Sequence, residues 1–264
     1  TIGLIVPYGT DVTALKAYFT TTGDSVRIGE TDQTSGSGTN DFTSPVTYTV
    51  VASDESTQTY VVTVTVPPEA FITTWRTTTS NESITIPTAD GGNYSYDVDW
   101  GDDSVTTGIT GDGTHEYAVA GDYVVTITGT FPRIYFYAST ESNRAKIRSV
   151  DQWGSNSWTS MMGAFFGASN LVVNAVDSPD LSAVTDMNYM FASASSVNQP
   201  LDSWDVSNVT NMSFLFSNAV IFNQPLNSWD VSHVTDMTMM FSNAQAFNQA
   251  LNLWNVSQVI NMPP

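Results

Sequence analysis

The chain has 264 residues, with 7 Lys and Arg against 26 Asp and Glu, and its formal net charge is −19. This length suffices for about two or three domains, and the charge argues against nucleic acids and anionic membranes as partners, because both would be repelled. The absence of cysteine excludes disulfides, thiolate catalysis and cysteine zinc sites. No apolar stretch reaches ~18 residues, so we expect no direct insertion into a membrane.

Residues 1–66 predict an all-β module. Residues 46–50 and 60–66 alternate between apolar and polar positions and are rich in β-branched and aromatic side chains, which is typical of strands. The acidic segment 54–57 between them predicts a turn. The two prolines that follow predict a stiff, Pro-rich linker at residues 67–70.

Residues 71–138 predict a second all-β module. The same alternation occurs at residues 83–86, 94–100 and 123–127. The segments 101–103 and 120–122 contain the glycine and aspartate residues that favour turns. Each of the first two segments is therefore expected to consist of strands joined by turns.

Residues 139–264 contain a repeat of 25 residues that is cut off in mid-repeat. Four columns of identical residues recur at this spacing: Met187, Met212, Met237 and Met262; Trp204, Trp229 and Trp254; Phe191, Phe216 and Phe241; Asn198, Asn223 and Asn248. We expect residues of one column to stack in successive repeats and to share one apolar core. The Trp column could form a sugar-stacking platform, but its place in the apolar pattern of the repeat favours core packing. The Asn column predicts an internal ladder that satisfies backbone groups of the turns.

Within a repeat, the sequence predicts a short strand followed by a short helix. Leu201, Trp204 and Val206 have the L-x-x-L-x-L spacing of a leucine-rich-repeat strand. Ser207 then precedes apolar residues at a spacing of three or four, which predicts a helix with Ser207 as its N-cap. Ser232 and Ser257 recur at the same position.

Each segment resembles a known family. The copies at residues 198–247 read NQPLDSWDVSNVTNMSFLFSNAVIF and NQPLNSWDVSHVTDMTMMFSNAQAF, and they resemble BspA-like leucine-rich-repeat surface proteins. Residues 71–138 resemble the polycystic-kidney-disease (PKD) type of immunoglobulin-like domain, through VDWGD at 98–102 and HEY at 115–117. Residues 1–66 resemble cadherin-like modules, through VPYGTDVTALKAYFTTTG and STQTYVVTVTV.

These resemblances imply a multidomain fold class. We expect two all-β immunoglobulin-like sandwiches, at residues 1–66 and 71–138, followed by an α/β leucine-rich-repeat-like solenoid of 25-residue repeats at residues 139–264. Cadherin-like modules usually have one more strand before the point where this chain starts, so the first sandwich is expected to lack its first strand.

The repeats offer one candidate ligand-binding column, formed by Asp180, Asp205, Asp230 and Asn255, with His233 beside it at a variable position. Alternation along the strand places these side chains outward, and stacking would bring like charges close together. Hydrogen bonds from the adjacent turns could offset the repulsion. A bound cation or a cationic ligand is the functional alternative.

A second candidate site is a calcium site at Asp99, Asp102 and Asp103, since Ca²⁺ prefers oxygen ligands. The alternative is that Asp102 ties its own turn through backbone N–H groups. His115 and His233 are the only histidines and lie in different segments. The sequence therefore offers no set of residues for a histidine-based catalytic triad. We expect no enzymatic activity and no cofactor other than this calcium.

The predicted function is that of an extracellular adhesion protein of the bacterial cell surface. The sandwiches act as spacers and the repeat face binds, since repeat arrays present long, regular surfaces. The partner would be a protein or glycan on another cell or matrix, or copies of the chain itself. Known relatives of the resembled families are cell-envelope proteins, and several serve as adhesins. The alternative is a subunit of an extracellular filament or surface layer that assembles through an open β-edge.

Overall fold

The structure is a computed structural model that describes residues 1–6, 10–66 and 69–261. It is nearly all β and divides into two compact units, unit 1 at residues 1–68 and unit 2 at residues 69–264. Pro67 and Pro68 of the predicted linker lie outside the described residues. So does Met262 at the predicted truncation of the last repeat.

Unit 1 is built on one mixed sheet of five strands. The strands are β1 (Ile2–Ile5), β2 (Ser25–Ile28), β3 (Thr31–Asp32), β4 (Val46–Val51) and β5 (Thr57–Thr65). Their order is β1-β5-β4-β2-β3, and β1 runs parallel to β5 while the other pairs are antiparallel. The strands β4 and β5 confirm the alternation predicted at residues 46–50 and 60–66.

The core of unit 1 is small, and its second layer is irregular. Val26, Phe42, Tyr48 and Val62 are its buried apolar residues. The chain between β1 and β2 packs on the same face of the sheet, but it forms only the short 3-10 helix Val12–Ala14 and an isolated bridge from Leu15. The prediction of two packed sheets is therefore wrong for the described residues of this unit.

Unit 2 contains a six-stranded sheet and a two-stranded sheet. Its strands are β6 (Phe71–Thr77), β7 (Glu82–Ile86), β8 (Ser95–Asp99), β9 (Val105–Ile109), β10 (Gly113–Tyr117), β11 (Gly121–Thr130), β12 (Ile147–Gln152) and β13 (Val172–Val173). The order of the large sheet is β13-β12-β6-β11-β8-β9, and β10 pairs with β7. The helical elements are α1 (Glu141–Arg144) and a 3-10 turn at Phe136–Ala138. No helix in the described part of the chain has the length and apolar character needed to cross a membrane.

The large sheet continues across the predicted boundary between residues 138 and 139. Strand β6 pairs with β11 on one side and with β12 on the other. The hydroxyl of Thr74 in β6 donates to the carboxylate of Asp151 in β12 at 2.7 Å. Behind the sheet, Phe71 and Trp153 pack ring to ring at 5.8 Å, and both are fully buried. One core therefore runs from the sheet into the repeats.

The predicted α/β leucine-rich-repeat-like solenoid is wrong, because residues 153–261 contain no helix and only β13 as a strand. The backbone N–H groups of Met212, Phe214 and Phe216 donate to carbonyls of the next repeat, whereas those of Leu215 and Ala219 close turns onto the residue three positions earlier. Apolar residues three or four apart thus sit at successive turn corners instead of on a helix. Ser207 is consequently not a helix N-cap.

Residues one repeat apart nevertheless lie over one another. Met187, Met212 and Met237 are buried, as predicted, and Phe165, Phe191, Phe216 and Phe241 stack face to face at 5.7–5.8 Å. Met161 occupies the equivalent position in the repeat before Met187, because its N–H donates to the next repeat as that of Met187 does. The repeats are stacked turns around a continuous apolar core.

The Asn and Trp columns also stabilise the stack, as predicted. The side-chain oxygen of Asn198 accepts from the backbone N–H of Asn223 at 2.8 Å, and Asn223 repeats this contact with Asn248. Trp229 is buried and donates its indole N–H to the carbonyl of Leu201 in the preceding repeat at 2.9 Å. Both columns therefore satisfy backbone groups between repeats.

Glu82 ties β7 to the chain that leads into β12. Its carboxylate accepts from the backbone N–H of Thr78 at 2.6 Å and forms an ion pair with Lys146 at 3.0 Å. The hydrogen bond from Thr78, followed by that from Lys146, lowers the pKa of Glu82 from 4.5 to about 2. The ionised carboxylate is thus favoured in the folded state.

Replacing Glu82 with glutamine is expected to remove a stabilisation that depends on pH. A carboxyl whose pKa is lowered on folding stabilises the protein above its unfolded pKa, and this contribution is lost as the pH falls through the folded pKa. We expect E82Q to lose about 1–3 kcal/mol at pH 7, and the two proteins to converge as the pH falls from 4.5 towards about 2. Urea unfolding at a series of pH values measures this difference, and parallel pH profiles would contradict the assignment.

Candidate functional site

The predicted column of Asp180, Asp205, Asp230 and Asn255 is exposed, and each member holds its own turn. The side-chain oxygen of each accepts from the backbone N–H of the serine two residues later, at 3.0–3.2 Å. These hydrogen-bonded turns are the arrangement that aspartate and asparagine favour outside helices. The structure thus brings these four residues together, and one side-chain oxygen of each already accepts a hydrogen bond from its own turn. Their role in ligand binding stays a prediction.

Hydrogen bonding dominates the electrostatics of this column. The side chain and then the backbone of Ser207 lower the pKa of Asp205, and the charge of Asp230 acts weakly in the opposite direction. Ser232 lowers the pKa of Asp230 in the same way. The turns therefore offset the repulsion that stacking creates.

His233 is exposed and contacts the preceding repeat. Its Nδ1 lies 3.0 Å from the carbonyl oxygen of Ser207. Asn208, at the equivalent position one repeat earlier, donates its amide to the carbonyl of Ser182 at 3.1 Å. This position thus carries a side chain that bridges adjacent repeats, and nothing in its contacts favours catalysis.

A second polar column, which sequence reasoning missed, lies where adjacent repeats form parallel bridges. Its members are Asp186, Asn211, Asp236 and Asn261. Asp and Asn alternate along it, so no two carboxylates are adjacent. Its members are 25 residues apart, so the repeat spacing in the sequence could have revealed this column.

The predicted calcium residues lie at the turn between β8 and β9. Asp99 accepts from the N–H of Gly101 at 2.9 Å, and a carboxylate oxygen of Asp102 lies within hydrogen-bond distance of Nε2 of His115, at 2.8 Å. Burial raises the pKa of Asp102, but hydrogen bonds from Ser104 and His115 outweigh it and hold the pKa below its ordinary value. Asp103 has a left-handed backbone with φ of 69°.

The hydrogen bonds of Asp99 and Asp102 support the alternative in which these aspartates tie their own turn. Among the described residues, no group of three or more acidic or histidine side chains is placed to hold a metal ion. The calcium site stays a prediction.

A continuous strip of large side chains on the surface of unit 2 is the strongest candidate for binding. We call it the aromatic ribbon, and its members are Tyr135, Tyr137, Phe166, Tyr189, Phe214 and Met239. Tyr137 and Met239 are 43% and 39% exposed, and the others are half-buried. Sequence reasoning missed the ribbon, although Tyr189, Phe214 and Met239 share the 25-residue spacing.

The rings of the ribbon touch one another in sequence. Tyr135 stacks on Tyr137 at 6.1 Å, Tyr137 lies 5.5 Å from Tyr189, and Tyr189 stacks on Phe214 at 4.5 Å. Phe166 packs beside Tyr137 at 4.8 Å. The rings thus form one continuous row that crosses several repeats, and Met239 holds the equivalent position in the next repeat.

The repeat position that carries the ribbon requires a left-handed backbone. The φ angles of Tyr189, Phe214 and Met239 are 57°, 56° and 50°. The equivalent residue in the earliest repeat is Gly163, with φ of 60°, and glycine adopts this conformation without steric cost. Bulky residues are uncommon there, so three successive repeats tolerate strain to display a large side chain.

Unit 1 offers a competing feature, an apolar groove of about 800 Å³. Its walls include Leu4, Tyr18, Phe19 and Tyr60, and Tyr18 is 79% exposed. The groove lies on the face of the sheet that the irregular second layer covers only in part. Strand β1 pairs with β5 alone among the described strands, and the hypothesis of assembly through an open β-edge stays a prediction.

Two family models match parts of the chain. Residues 1–64 are similar to the family described as "SGBP, N-terminal", and residues 141–263 are similar to the family described as "Mycoplasma protein of unknown function, DUF285". No curated protein and no solved structure matches the chain. The two matches suggest a bacterial surface protein with an interaction role. Neither match is to the BspA-like, PKD-type or cadherin-like families, so those resemblances stay predictions.

Proposed function

We propose that this chain is a surface protein that binds glycan, and that the aromatic ribbon of unit 2 is its contact surface. The observation that carries the proposal is the ribbon itself, a row of touching rings on the surface of unit 2. The similarity of residues 1–64 to a family of surface glycan-binding proteins supports the same class of ligand. The glycan would belong to another cell or to a matrix.

The chemistry of the ribbon suits a sugar. Aromatic rings are large and apolar, and tyrosine adds a polar tip. Because Tyr189 and Phe214 stack on each other, the ribbon offers a row of ring edges and hydroxyls along which the C–H groups and hydroxyls of a sugar chain can lie. The hydroxyl of Tyr189 is protonated at neutral pH, as that of any ordinary tyrosine is, and can donate a hydrogen bond; burial and the neighbouring Tyr137 raise its pKa further. Successive rings allow successive sugar units to be bound.

The strained backbone points to function as well. Left-handed backbone at a bulky residue costs about 1–3 kcal/mol and is concentrated at functional sites. Tyr189, Phe214 and Met239 all have this conformation although Gly163 shows that the position accepts glycine. A binding role for these side chains explains why the strain is kept.

We infer binding without catalysis. The contacts of both histidines are structural: His115 pairs with Asp102, and His233 contacts a backbone carbonyl. Unit 1 would act as a spacer for unit 2.

The test is binding of the whole chain to an array of polysaccharides, followed by titration of the glycans that bind. Tyr137→Ala removes an exposed ring while its backbone hydrogen bonds with Gly163 and Arg144 remain. We expect an affinity about fivefold lower, since one aromatic contact contributes roughly 1 kcal/mol.

The matched control is Tyr18→Ala, which removes an exposed tyrosine from the groove of unit 1. Its affinity should equal that of the unaltered chain. Weaker binding by Y18A with normal binding by Y137A would place the site in unit 1. An absence of binding to any glycan would refute the proposal as a whole.

A further inference from the structure

We propose that the ribbon selects a sugar that carries an anionic group, a carboxylate or a sulfate ester, through Arg133 and Arg144. This inference rests on the proposed function, because it names the ligand class of the same site. Both guanidinium groups lie on rings of the ribbon: Arg133 is 4.4 Å above Tyr135, and Arg144 is 4.7 Å above Phe166.

Arg133 is only partly engaged by the protein. One terminal nitrogen donates to the carbonyl of Met162 at 3.0 Å. Its Nε is buried and has no hydrogen-bond partner among the described residues. An unpaired donor of a charged group is costly to bury. Nε itself is closed to solvent, so an acceptor on a ligand would contact a terminal nitrogen of this guanidinium.

Arg144 is held in place by backbone carbonyls. Its Nε donates to Phe136 at 3.0 Å and its Nη2 donates to Tyr137 at 2.6 Å. Burial lowers the pKa of this guanidinium, and Glu141 acts in the opposite direction from beyond ion-pair distance. Arginine remains charged in proteins, so Arg144 presents a partly desolvated and fixed positive charge at the ribbon.

The two arginines have no ion-pair partner among the described residues although the chain is strongly acidic. Only 7 residues are Lys or Arg, against 26 Asp and Glu. Arg27, Arg76 and Lys146 each form an ion pair with a carboxylate. In the described ranges, neither Arg133 nor Arg144 has a carboxylate within the 4.0 Å of an ion pair, and the same holds for Lys16 and Arg148. What distinguishes Arg133 and Arg144 is that these unpaired cations lie on half-buried rings of the ribbon.

The net charge of the chain further restricts the class of ligand. A net charge of −19 repels polyanions, whereas the contact of one anionic group with a guanidinium is short-ranged and charge-assisted. Screening over about 8–10 Å weakens the distant repulsion and leaves the close contact. The site therefore fits an oligosaccharide with an isolated acidic sugar better than a densely charged polymer.

The experiment is calorimetric titration of the whole chain with matched ligands. The first is an oligosaccharide of uncharged sugars that ends in one glucuronic acid, and the second is the neutral compound made from it by reducing the carboxyl group to an alcohol. We expect reduction to weaken binding about tenfold or more, as loss of a charge-assisted hydrogen bond does. A third ligand, with a sulfate ester in place of the carboxylate, identifies the preferred anion, and tighter binding of it than of the neutral compound also supports an anionic sugar.

The variant Arg133→Gln, combined with Arg144→Gln, should bind all ligands with the affinity that the unaltered chain has for the neutral one. Should this variant fail to fold, the comparison of ligands on the unaltered chain still decides the question. Equal affinity of the unaltered chain for the acidic, sulfated and neutral compounds would overturn the inference. If Tyr137→Ala still weakens all of them, glycan binding by the ribbon stands and only the anionic preference is lost.

Discussion

Replacing Phe216 with alanine is expected to lower the free energy of unfolding of unit 2 by about 3–5 kcal/mol, as deletion of a buried aromatic ring does. Phe216 is fully buried. It stacks on Phe191 at 5.8 Å, on Phe241 at 5.7 Å and on Phe222 at 4.1 Å. Its removal leaves a cavity between three repeats, and the stacked turns cannot collapse into it without breaking the hydrogen bonds that join them.

Phe214→Gly is the control two residues away. This ring lies on the ribbon, and its backbone has φ of 56°, where glycine relieves strain worth about 1 kcal/mol. The relief offsets the lost contact with Tyr189, so we expect stability within about 1 kcal/mol of the parent. Urea unfolding compares the two variants, and equal losses in both would show that the stacked Phe column does not stabilise the repeats.

The second large effect is expected at Trp153, which joins the sheet of unit 2 to its repeats. Its ring packs against Phe71 at 5.8 Å on the sheet side and against Phe165 at 6.1 Å and Trp204 at 5.3 Å on the repeat side. It is fully buried. Trp153→Ala should cost about 3–5 kcal/mol and should destabilise β6 and the repeats equally, because they share one core.

Hydrogen exchange measures this effect separately for the amides of β6 and for those of residues 198–247. The matched control is Trp153→Phe, which keeps an aromatic ring and removes an indole N–H that has no partner among the described residues. Trp153→Phe should lose much less stability than Trp153→Ala. If Trp153→Ala lowered the protection from exchange only in β6 or only in the repeats, the segments 71–138 and 139–264 would fold independently, as their predicted boundary suggests.

Side-chain periodicity carried the successful part of the sequence prediction. The 25-residue spacing of Met187, Met212 and Met237 correctly indicated a stacked apolar core, and alternation correctly placed β4 and β5. Periodicity could not decide how the backbone turns between the columns. Apolar residues three or four apart fit a helix and a series of turns equally, and the left-handed conformation of Phe214 and Asn218 decides for turns.

Long-range contacts account for what the sequence did not reveal. The ribbon combines Tyr189 and Phe214, which belong to the repeats, with Tyr135 and Tyr137, which precede them. Strand β12 lies in the degenerate start of the repeat array, and its pairing with β6 depends on residues more than seventy positions apart, such as Thr74 and Asp151. Neither spacing nor composition encodes such contacts.

The central claim is that exposed rings of the ribbon bind glycan, and calorimetric titration of the Phe214→Gly variant tests it most directly. Glycine can keep the backbone conformation that Gly163 already shows at this position. A change in affinity would therefore be caused by removal of the ring and not by a change in the fold. We predict an affinity about fivefold lower for the glycan that the unaltered chain binds, with a melting temperature within about 4 °C of the parent. Unchanged affinity of a variant that folds this well would contradict the claim.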